Sequence, residues 1–276
     1  MINSKILAID AGGTFFKYAL LNQKAEFLTD IRKIPVNEKG TKEEICKSYK
    51  RIFDDIEDFD VVTISTPGPF DYQKGTSLME HKFPALFGEP LGNILEQLSG
   101  KRVCFLSDSN AFLLGEKSRA VDNAIGITIG TGFGFSAMMD GQICTDEKGG
   151  PCEKPYCLPY KGLIAEDYIS GRGIELRYKN ASGNSFDAKK IAELAEKGDQ
   201  TAIKVYQDMG VAIGEILSPF VKKYDAKILI IGGQVARSID LFEKYICLTI
   251  PVITSVNVTG AALVGAVHYA KLLFDL

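Results

Sequence analysis

Histidine is scarce in this chain of 276 residues: only His81 and His268 occur, so a histidine-based mechanism has little to draw on. No long run of like charge is present, and 32 basic and 35 acidic residues give a net charge of −3. This balance argues against nucleic acid or acidic lipid as a partner. No apolar run approaches the length of a membrane span, and residues 1–5 show no signal-peptide pattern. These absences predict a cytoplasmic protein.

Two common nucleotide-binding motifs are also missing. The sequence has no Gly-x-x-x-x-Gly-Lys-Ser/Thr, which excludes a P-loop enzyme, and its Gly-rich segment at 130–134 is not the dinucleotide fingerprint. The six cysteines are expected to be reduced and mostly buried. At 46% hydrophobic residues the chain can bury a large core, and its length favours two domains over one.

The most informative stretch is residues 5–14, where an apolar, β-branched run is followed by Asp10, Gly12, Gly13 and Thr14. The run predicts a strand that places Asp10 at its carboxyl end. The two glycines predict a turn thin enough for backbone N–H groups to approach a phosphate. The alternative is that Asp10 only caps a turn.

A similar arrangement recurs 118 residues later, where 126–132 aligns with 8–14 and 137–140 aligns with 19–22. Both segments predict a strand, a Gly-rich bend, a second strand and a hairpin turn. The repeat predicts a duplicated domain with a phosphate-binding hairpin in each half, so that one nucleotide is held between the halves. The candidate phosphate-binding residues of the second hairpin are Gly130, Thr131, Gly132 and Gly134.

Strand and helix patterns alternate along the chain, which predicts an α/β protein with a mixed sheet in each half. The predicted strands are 5–10, 15–21, 26–33, 61–65, 102–107, 124–129, 134–139 and 226–231. The predicted helices are 41–57, 90–99, 110–119, 163–178, 187–197, 199–223 and 260–274, with a loop-rich stretch at 142–162. We expect an N-terminal α/β domain over 1–119, a C-terminal α/β domain over 120–259, and a terminal helix at 260–276 that packs back on the first domain.

Two further strand ends carry candidate site residues. Asp108 follows the strand at 102–107, and ligands of open α/β sheets bind at such carboxyl ends. The alternative is that Asp108 or Ser109 caps the helix that follows. The strand before Gly232 and Gly233 ends in a junction that lets a flat ring or a phosphate approach the backbone; tight strand-to-helix packing is the alternative there.

Five motifs occur in one order along most of the chain. They are Asp10-Ala-Gly-Gly-Thr14, Ser65-Thr-Pro-Gly-Pro69, Ser107-Asp-Ser-Asn110 with Gly115-Glu116, Gly130-Thr-Gly-Phe-Gly134 and Ile231-Gly-Gly233. Together they resemble the ROK family of bacterial sugar kinases, within the actin/hexokinase/Hsp70 superfamily. The resemblance implies two ribonuclease-H-like (actin-like ATPase) domains with mixed sheets and an interdomain cleft. It also implies phosphorylation of a hexose or hexose derivative by ATP, as in a glucokinase or an N-acetylhexosamine or glycoside kinase.

The resemblance also assigns roles to residues. It implies that Asp108 is the general base, that Asp10 positions Mg²⁺ directly or through water, and that Gly232 and Gly233 lie on the adenosine side. ATP and Mg²⁺ are therefore the expected cofactors, and a small sugar is the expected partner. The residues implied to bind the sugar are Ser107, Asp108, Gly68, Glu153 and Glu166.

The chain departs from the family pattern around the sugar. Ser107 replaces the Asn that usually precedes the catalytic Asp, and Lys82 stands where an Asn is common. The family's Glu-x-x-His motif is absent; Glu153 is aligned with its Glu, which puts Tyr156 in the place of its His. These changes predict an altered sugar pocket, which accepts a different hexose, a derivatised sugar or a glycoside.

A zinc site is not expected in this chain. The family's Cys-rich zinc loop aligns with 142–162, but Cys144, Cys152 and Cys157 lack the spacing of zinc ligands and no histidine lies near them.

Three functional classes remain. A sugar kinase leads; a sugar-sensing repressor is disfavoured because only nine residues precede Asp10, too few for a DNA-binding domain. A non-catalytic sugar-binding relative is opposed by Asp10 and Asp108 but favoured by the missing Glu-x-x-His motif. The sequence leaves open the sugar and the choice between ATP and polyphosphate. A homodimer is implied by resemblance alone.

Overall fold

The computed structural model describes residues 4–117, 121–256 and 260–276. Its strands, in chain order, are β1 (Lys5–Ala11), β2 (Phe15–Asn22), β3 (Arg32–Pro35), β4 (Val61–Thr66), β5 (Phe70–Asp71), β6 (Thr76–Ser77), β7 (Arg102–Ser107), β8 (Ala124–Ile129), β9 (Phe133–Met139), β10 (Gln142–Ile143), β11 (Pro159–Tyr160), β12 (Leu163–Ile164), β13 (Leu229–Gly232) and β14 (Val252–Thr254).

The α-helices of the same residues are α1 (Lys42–Asp55), α2 (Leu91–Ser99), α3 (Asp108–Gly115), α4 (Gly171–Ser182), α5 (Ala188–Glu196), α6 (Gln200–Lys223) and α7 (Ala261–Phe274). Short 3₁₀ helices lie at Pro84–Leu86, Pro155–Cys157, Ala165–Asp167, Val235–Leu241 and Glu243–Tyr245. Across the described residues, no helix combines the length and the apolar character needed to cross a bilayer.

The described chain divides into two compact units. One contains 4–117, 145–151 and 260–276, and the other contains 121–144 and 152–256. The loop 145–151 thus belongs with the first unit, although the boundary expected from the sequence put it in the second half. A β-bridge between Thr145 and Pro151 joins the two ends of this loop.

Each unit is built on one five-stranded mixed sheet. The order is β3-β2-β1-β4-β7 in the first unit and β10-β9-β8-β13-β14 in the second. In both sheets the first three strands form an antiparallel meander, and the remaining strands run parallel to the central one. The predicted α/β class with a mixed sheet in each half is confirmed, and the two halves share one topology, as the internal repeat indicated.

The hairpin turn after β9 shows how the sequence sets this topology. Asp140 and Gly141 both have positive φ, at 52° and 72°. Positive φ at both central residues defines the tight turn whose twist matches that of two antiparallel strands, and Asp-Gly is a preferred pair there. β9 therefore returns as β10, with Met139 opposite Gln142.

Apolar strands form the centre of each unit. The side chains of β1 and β4 are almost all buried, as expected for strands covered on both faces. In the first unit, α1, α2 and the side chains of β1, β2, β4 and β7 enclose one apolar core. In the second unit, α4, α5 and α6 cover the sheet formed by β8, β9 and β13. The rigid sheets hold the loops at their strand ends in place.

Helix α7 packs closely on α3 within the first unit. A Cβ at Gly265 would overlap the carbonyl oxygen of Ala111, and a Cβ at Gly115 would overlap that of Ala261. The hydroxyl of Thr63, on β4, donates to the carbonyl of Ala266 at 3.0 Å. Small residues in α7 therefore allow this close packing on α3, and the terminal helix lies in the first unit.

Two predicted elements were wrong. The strand predicted at 26–33 is β3 at Arg32–Pro35, because the Asn22 side chain accepts the N–H groups of Lys24 and Glu26 and widens the turn. The helix predicted at 163–178 begins only at Gly171; before it come β12 and a 3₁₀ turn. The Ser170 hydroxyl accepts the Gly173 N–H and thereby sets the start of α4.

Gly265→Ala should destabilise the protein, although alanine normally favours a helix by about 1 kcal/mol over glycine. The added methyl group must push α7 away from Ala111, and overpacking of this kind costs about 1–3 kcal/mol. Thermal unfolding followed by circular dichroism measures the loss. Leu272→Ala, at a position that is 69% exposed on the same helix, is the control. An unchanged midpoint for Gly265→Ala would contradict the close contact.

Candidate functional site

Asp10 lies at the end of β1 and contacts both neighbouring strands. Its Oδ2 is 3.3 Å from the Lys17 ammonium on β2, and its Oδ1 accepts a hydrogen bond from the Ser65 hydroxyl on β4 at 3.2 Å. The antiparallel register of β1 and β2 places Lys17 directly opposite Asp10. Asp10 is therefore held by side chains across the sheet, and its position does not depend on capping a turn.

The first Gly-rich turn follows Asp10 at once. Gly12 donates its N–H to the Asp10 carbonyl at 3.2 Å, and a Cβ at Gly12 would press on the carbonyl of Phe15. Gly13 lies against the carboxylate of Glu38. Thr14 is exposed, and its carbonyl accepts the N–H of Val36 at 3.0 Å. The turn is thin, as predicted, and the backbone of Phe15 leaves little space for a side chain at Gly12.

Asp108 is the first residue of α3, and the cap of that helix differs from the prediction. Ser107 is the N-cap: its hydroxyl accepts the Asn110 N–H at 3.1 Å and lies 3.3 Å from the Ser109 hydroxyl. The alternative that Asp108 or Ser109 caps this helix is therefore wrong. Ser107 is almost fully buried and its hydroxyl is used by the helix, whereas the Asp108 side chain is open to solvent.

The surroundings of Asp108 raise the pKa of its carboxyl group. Solvent reaches the carboxylate, but the protein around it limits its hydration; this partial desolvation is the main cause of the raised pKa, and the negative charge of Asp10 adds to it. The Ser109 N–H, which donates to Oδ1 at 2.8 Å, and the positive charge of Lys82 act in the opposite direction. A carboxylate with a raised pKa is a stronger proton acceptor than an ordinary aspartate, which suits a general base.

The loop that contains Gly68 lies in the same unit. The Gly68–Pro69 peptide bond is cis, and the Tyr72 hydroxyl donates to the Thr66 carbonyl at 3.1 Å. That hydroxyl lies 3.2 Å from the position that a Cβ at Gly68 would take. The backbone here turns away from the end of β4, and Tyr72 fills the space beside Gly68.

In the second unit, the Gly-rich bend between β8 and β9 joins the start of α4. The Gly130 carbonyl accepts the Gly171 N–H at 2.7 Å, and no atom lies within 4 Å of a Cβ position at Gly130. Thr131 is exposed, while Gly132 and Gly134 are half-buried. The bend thus presents open backbone beside a helix N-terminus, which is an arrangement suited to a phosphate.

Glu166 holds this bend from the 3₁₀ turn before α4. One carboxylate oxygen accepts the Phe133 N–H at 2.9 Å and the other pairs with Arg172. Glu166 is therefore not a solvated first-turn helix residue, and both of its oxygens already have partners within its unit.

The glycines after β13 differ from each other. Gly232 ends the strand and is buried, whereas Gly233 has φ +89° and lies so close to Ile129 that a Cβ would overlap its backbone. Close packing therefore explains the glycine at 233. The segment after it is a 3₁₀ helix (Val235–Leu241).

The contacts of Glu153 are with the end of α6. Glu153 pairs with Lys223 and accepts the Tyr224 hydroxyl at 2.8 Å. Burial raises the pKa of its carboxyl, but the bonds from Lys223 and Tyr224 outweigh that effect and hold the pKa below its usual value. The Tyr224 hydroxyl also lies 3.2 Å from the Cys152 sulfur. The carboxylate is thus engaged with α6 and the residue that follows it.

The donor set around Asp10 fits a magnesium ion that keeps most of its ligands as water and phosphate. Mg²⁺ of this kind needs only one or two carboxylates from the protein. Asp10 is partly exposed, at 21%, so its carboxylate can reach such an ion, whereas the Ser65 hydroxyl beside it is buried and donates to that carboxylate. Over 4–117, 121–256 and 260–276, no group of three or more His, Cys, Asp or Glu side chains is arranged to hold a metal ion alone.

Sequence reasoning assigned no role to two lysines of the first unit that lie near the candidate carboxylates: Lys17 beside Asp10, and Lys82 beside Asp108. For Lys17 a signal existed, because the predicted hairpin of 5–10 with 15–21 places it opposite Asp10. Lys82 is far from Asp108 in sequence, and only its departure from the family pattern marked it.

Asp108→Asn should raise the stability of the protein at neutral pH. The folded-state pKa of Asp108 lies above the ordinary value of 3.8, so the folded chain binds the proton more tightly than the unfolded chain. The charge therefore penalises folding once the pH exceeds the unfolded value, and the penalty disappears below it. We expect a higher unfolding temperature for the variant at about pH 7.5 and a gain that shrinks as the pH falls. Asp54→Asn, an exposed carboxylate on α1, is the control, and a lower unfolding temperature for Asp108→Asn at neutral pH would contradict the prediction.

Comparison with known proteins places the chain in a family. The model of the ROK family matches residues 6–256. A glucokinase from Thermotoga maritima is 26% identical, with 97% of each chain covered, and an N-acetyl-D-glucosamine kinase from Haemophilus influenzae is 23% identical, with 85% of this chain and 86% of its own covered. The crystal structure of a ROK family glucokinase from Streptomyces griseus in complex with glucose and AMPPNP has a TM-score of 0.79 at 21% identity, covering 97% of this chain and 99% of its own. The fold is that of these proteins, the actin-like ATPase fold, and the chain belongs to the ROK family.

Proposed function

We propose that this protein transfers the terminal phosphoryl group of ATP to a hydroxyl group of a hexose or hexose derivative. The single observation that carries the proposal is the Asp108 carboxylate: it is solvent-accessible at the start of α3, has a raised pKa, and lies in the same unit as Asp10 and the first Gly-rich turn. Membership of a family whose named relatives are sugar kinases supports it.

Asp108 is the general base of the proposed reaction. A sugar hydroxyl is a weak nucleophile, and a carboxylate that accepts its proton orients the oxygen for in-line attack. The new bond joins this oxygen to the terminal phosphorus of ATP, the bond from that phosphorus to ADP breaks, and the proton passes to Asp108. Oδ1 accepts the Ser109 N–H, which leaves Oδ2 as the less engaged oxygen for this proton.

Asp10 and the two Gly-rich turns bind the phosphates in this proposal. Asp10 holds Mg²⁺, directly or through water, and the ion supplies charge neutralisation to the phosphates. The backbone N–H groups of Gly12, Gly13 and Thr14 donate to phosphate oxygens, as do those of the second bend. The second bend comprises Gly130, Thr131, Gly132 and Gly134, and Gly232 borders the nucleoside.

The sugar site is proposed from the family positions that this chain retains. Glu166 contacts the sugar with the carboxylate lone pairs that its bonds to Phe133 and Arg172 do not use. Gly68 borders the sugar with its backbone. Ser107 and Glu153 are weaker candidates, because the Ser107 hydroxyl caps α3 and Glu153 pairs with Lys223. The relatives named glucokinase and N-acetyl-D-glucosamine kinase make neutral hexoses and N-acetylhexosamines the first substrates to test, with transfer to the 6-hydroxyl.

A coupled ADP-release assay with Mg-ATP tests the proposal. The panel contains glucose, mannose, fructose, N-acetylglucosamine, N-acetylmannosamine and a β-glucoside. At least one sugar should stimulate ADP release, and Asp108→Asn should lower kcat by about 100-fold or more, since general-base catalysis contributes 10²–10⁴. Asp54→Asn, in the same unit, should leave the rate unchanged.

The outcome also separates the kinase from the other members of its family. If no sugar stimulates ADP release while the protein still binds nucleotide, a regulatory or non-catalytic role replaces the kinase. If turnover persists in Asp108→Asn, the kinase stands but another group accepts the proton. Polyphosphate in place of ATP, run with the best sugar, identifies the donor.

A further inference from the structure

Lys82 is a half-buried cation beside both parts of the proposed reaction site. Its Cε lies 4.0 Å from the position that a Cβ at Gly13 would take. Its positive charge also acts on the carboxyl group of Asp108. Among the residues that the structure describes, no carboxylate oxygen lies within 4.0 Å of the Lys82 ammonium nitrogen, the distance of an ion pair. Lys82 therefore brings an uncommitted positive charge to the turn where a phosphate would bind.

The charges around this turn are otherwise mostly negative. Asp10 and Glu38 border the turn. Asp108 lies close enough to Asp10 for the negative charge of Asp10 to raise its pKa. Lys17 is already paired with Asp10. A phosphoryl group that approaches Gly13 therefore meets several carboxylates, and a cation is needed to offset this repulsion.

The backbone that carries Lys82 is fixed in place. Phe83, the next residue, is buried with φ +48°, and its ring lies 5.9 Å from that of Phe16 on β2. The Phe83 carbonyl accepts the Leu86 N–H at 2.8 Å and begins the short 3₁₀ helix there. The aromatic contact ties the loop to the hairpin that carries Asp10, so the lysine is positioned by the same sheet as the turn it faces.

This inference rests on the proposed kinase function. We propose that Lys82 binds the phosphoryl group during its transfer, with its ammonium group donating hydrogen bonds to the oxygens of that group. A positioned cation stabilises the negative charge on these oxygens most strongly in the transition state. Lys82 keeps its proton throughout: the sugar proton goes to Asp108, and the electron pair of the broken bond leaves with ADP.

Three variants test the proposal in the sugar-dependent assay. Lys82→Met keeps the apolar stem and removes the charge, and it should lower kcat by about 100-fold or more with little change in the KM for sugar. Lys82→Arg keeps the charge and should recover part of the rate. Lys74→Met removes an exposed lysine from the same unit and should match the parent.

A binding measurement tests the same contact without turnover. Titration calorimetry with ADP and with the non-hydrolysable analogue AMPPNP, each with Mg²⁺, compares ligands that differ by the terminal phosphoryl group. The parent should bind AMPPNP more tightly than ADP, and Lys82→Met should reduce this preference by about tenfold. Lys74→Met should leave the preference unchanged.

The two measurements keep this proposal separate from the proposed function. If the parent phosphorylates no sugar, the kinase function fails, whereas the nucleotide preference still reports on Lys82. If Lys82→Met keeps both the parent kcat and the parent preference for AMPPNP, Lys82 does not bind the phosphoryl group. If the variant raises only the KM for sugar, the lysine contacts the sugar and the proposal is overturned. Circular dichroism of each variant confirms that the fold is retained.

Discussion

The parallel pairing of β1, β4 and β7 is the constraint on which the first unit depends. Asp10 lies opposite Ser65, and Ser65 lies opposite Leu106, two residues before Asp108. A slip of one residue in any of these strands would turn its buried side chains to the wrong face, so the register is strongly fixed. Burial of the apolar strands thus holds the carboxylates of Asp10 and Asp108 near each other. Their repulsion is the second cause, after desolvation, of the raised pKa of Asp108.

The same ladder explains why the positions of many candidate site residues at strand ends were predictable. Apolar runs gave the strands, and the residues directly after them gave Asp10, Asp108 and the Gly-rich turns. The two hairpins of the internal repeat were also predictable, because Gly-rich bends and Asp-Gly turns are local signals. Local chemistry and the register of a sheet therefore suffice to bring the main phosphate and proton-transfer candidates to known strand ends.

The features that could not be predicted depend on contacts between distant residues. The Ser107 cap was missed because four polar residues in a row offered several equivalent caps, and only the path of α3 selects one. Glu153 was placed by family alignment, and nothing in the sequence shows that Lys223 and Tyr224, about 70 residues later, take up its carboxylate. The Ser170 cap sets the late start of α4, and in the turn before it Glu166 accepts the N–H of Phe133, which lies 33 residues earlier in the chain.

The packing of α7 has a consequence for how the chain folds during synthesis. α7 covers β1 and β4 and fits against α3 through contacts that leave no space for a side chain at Gly115 or Gly265. It follows the whole second unit in the chain, whereas its partners are made first. The strands of the first unit must therefore wait on the ribosome with one face uncovered while the second unit, which is continuous apart from one short loop, becomes available to fold. In this protein the half that is made first is the half that is completed last.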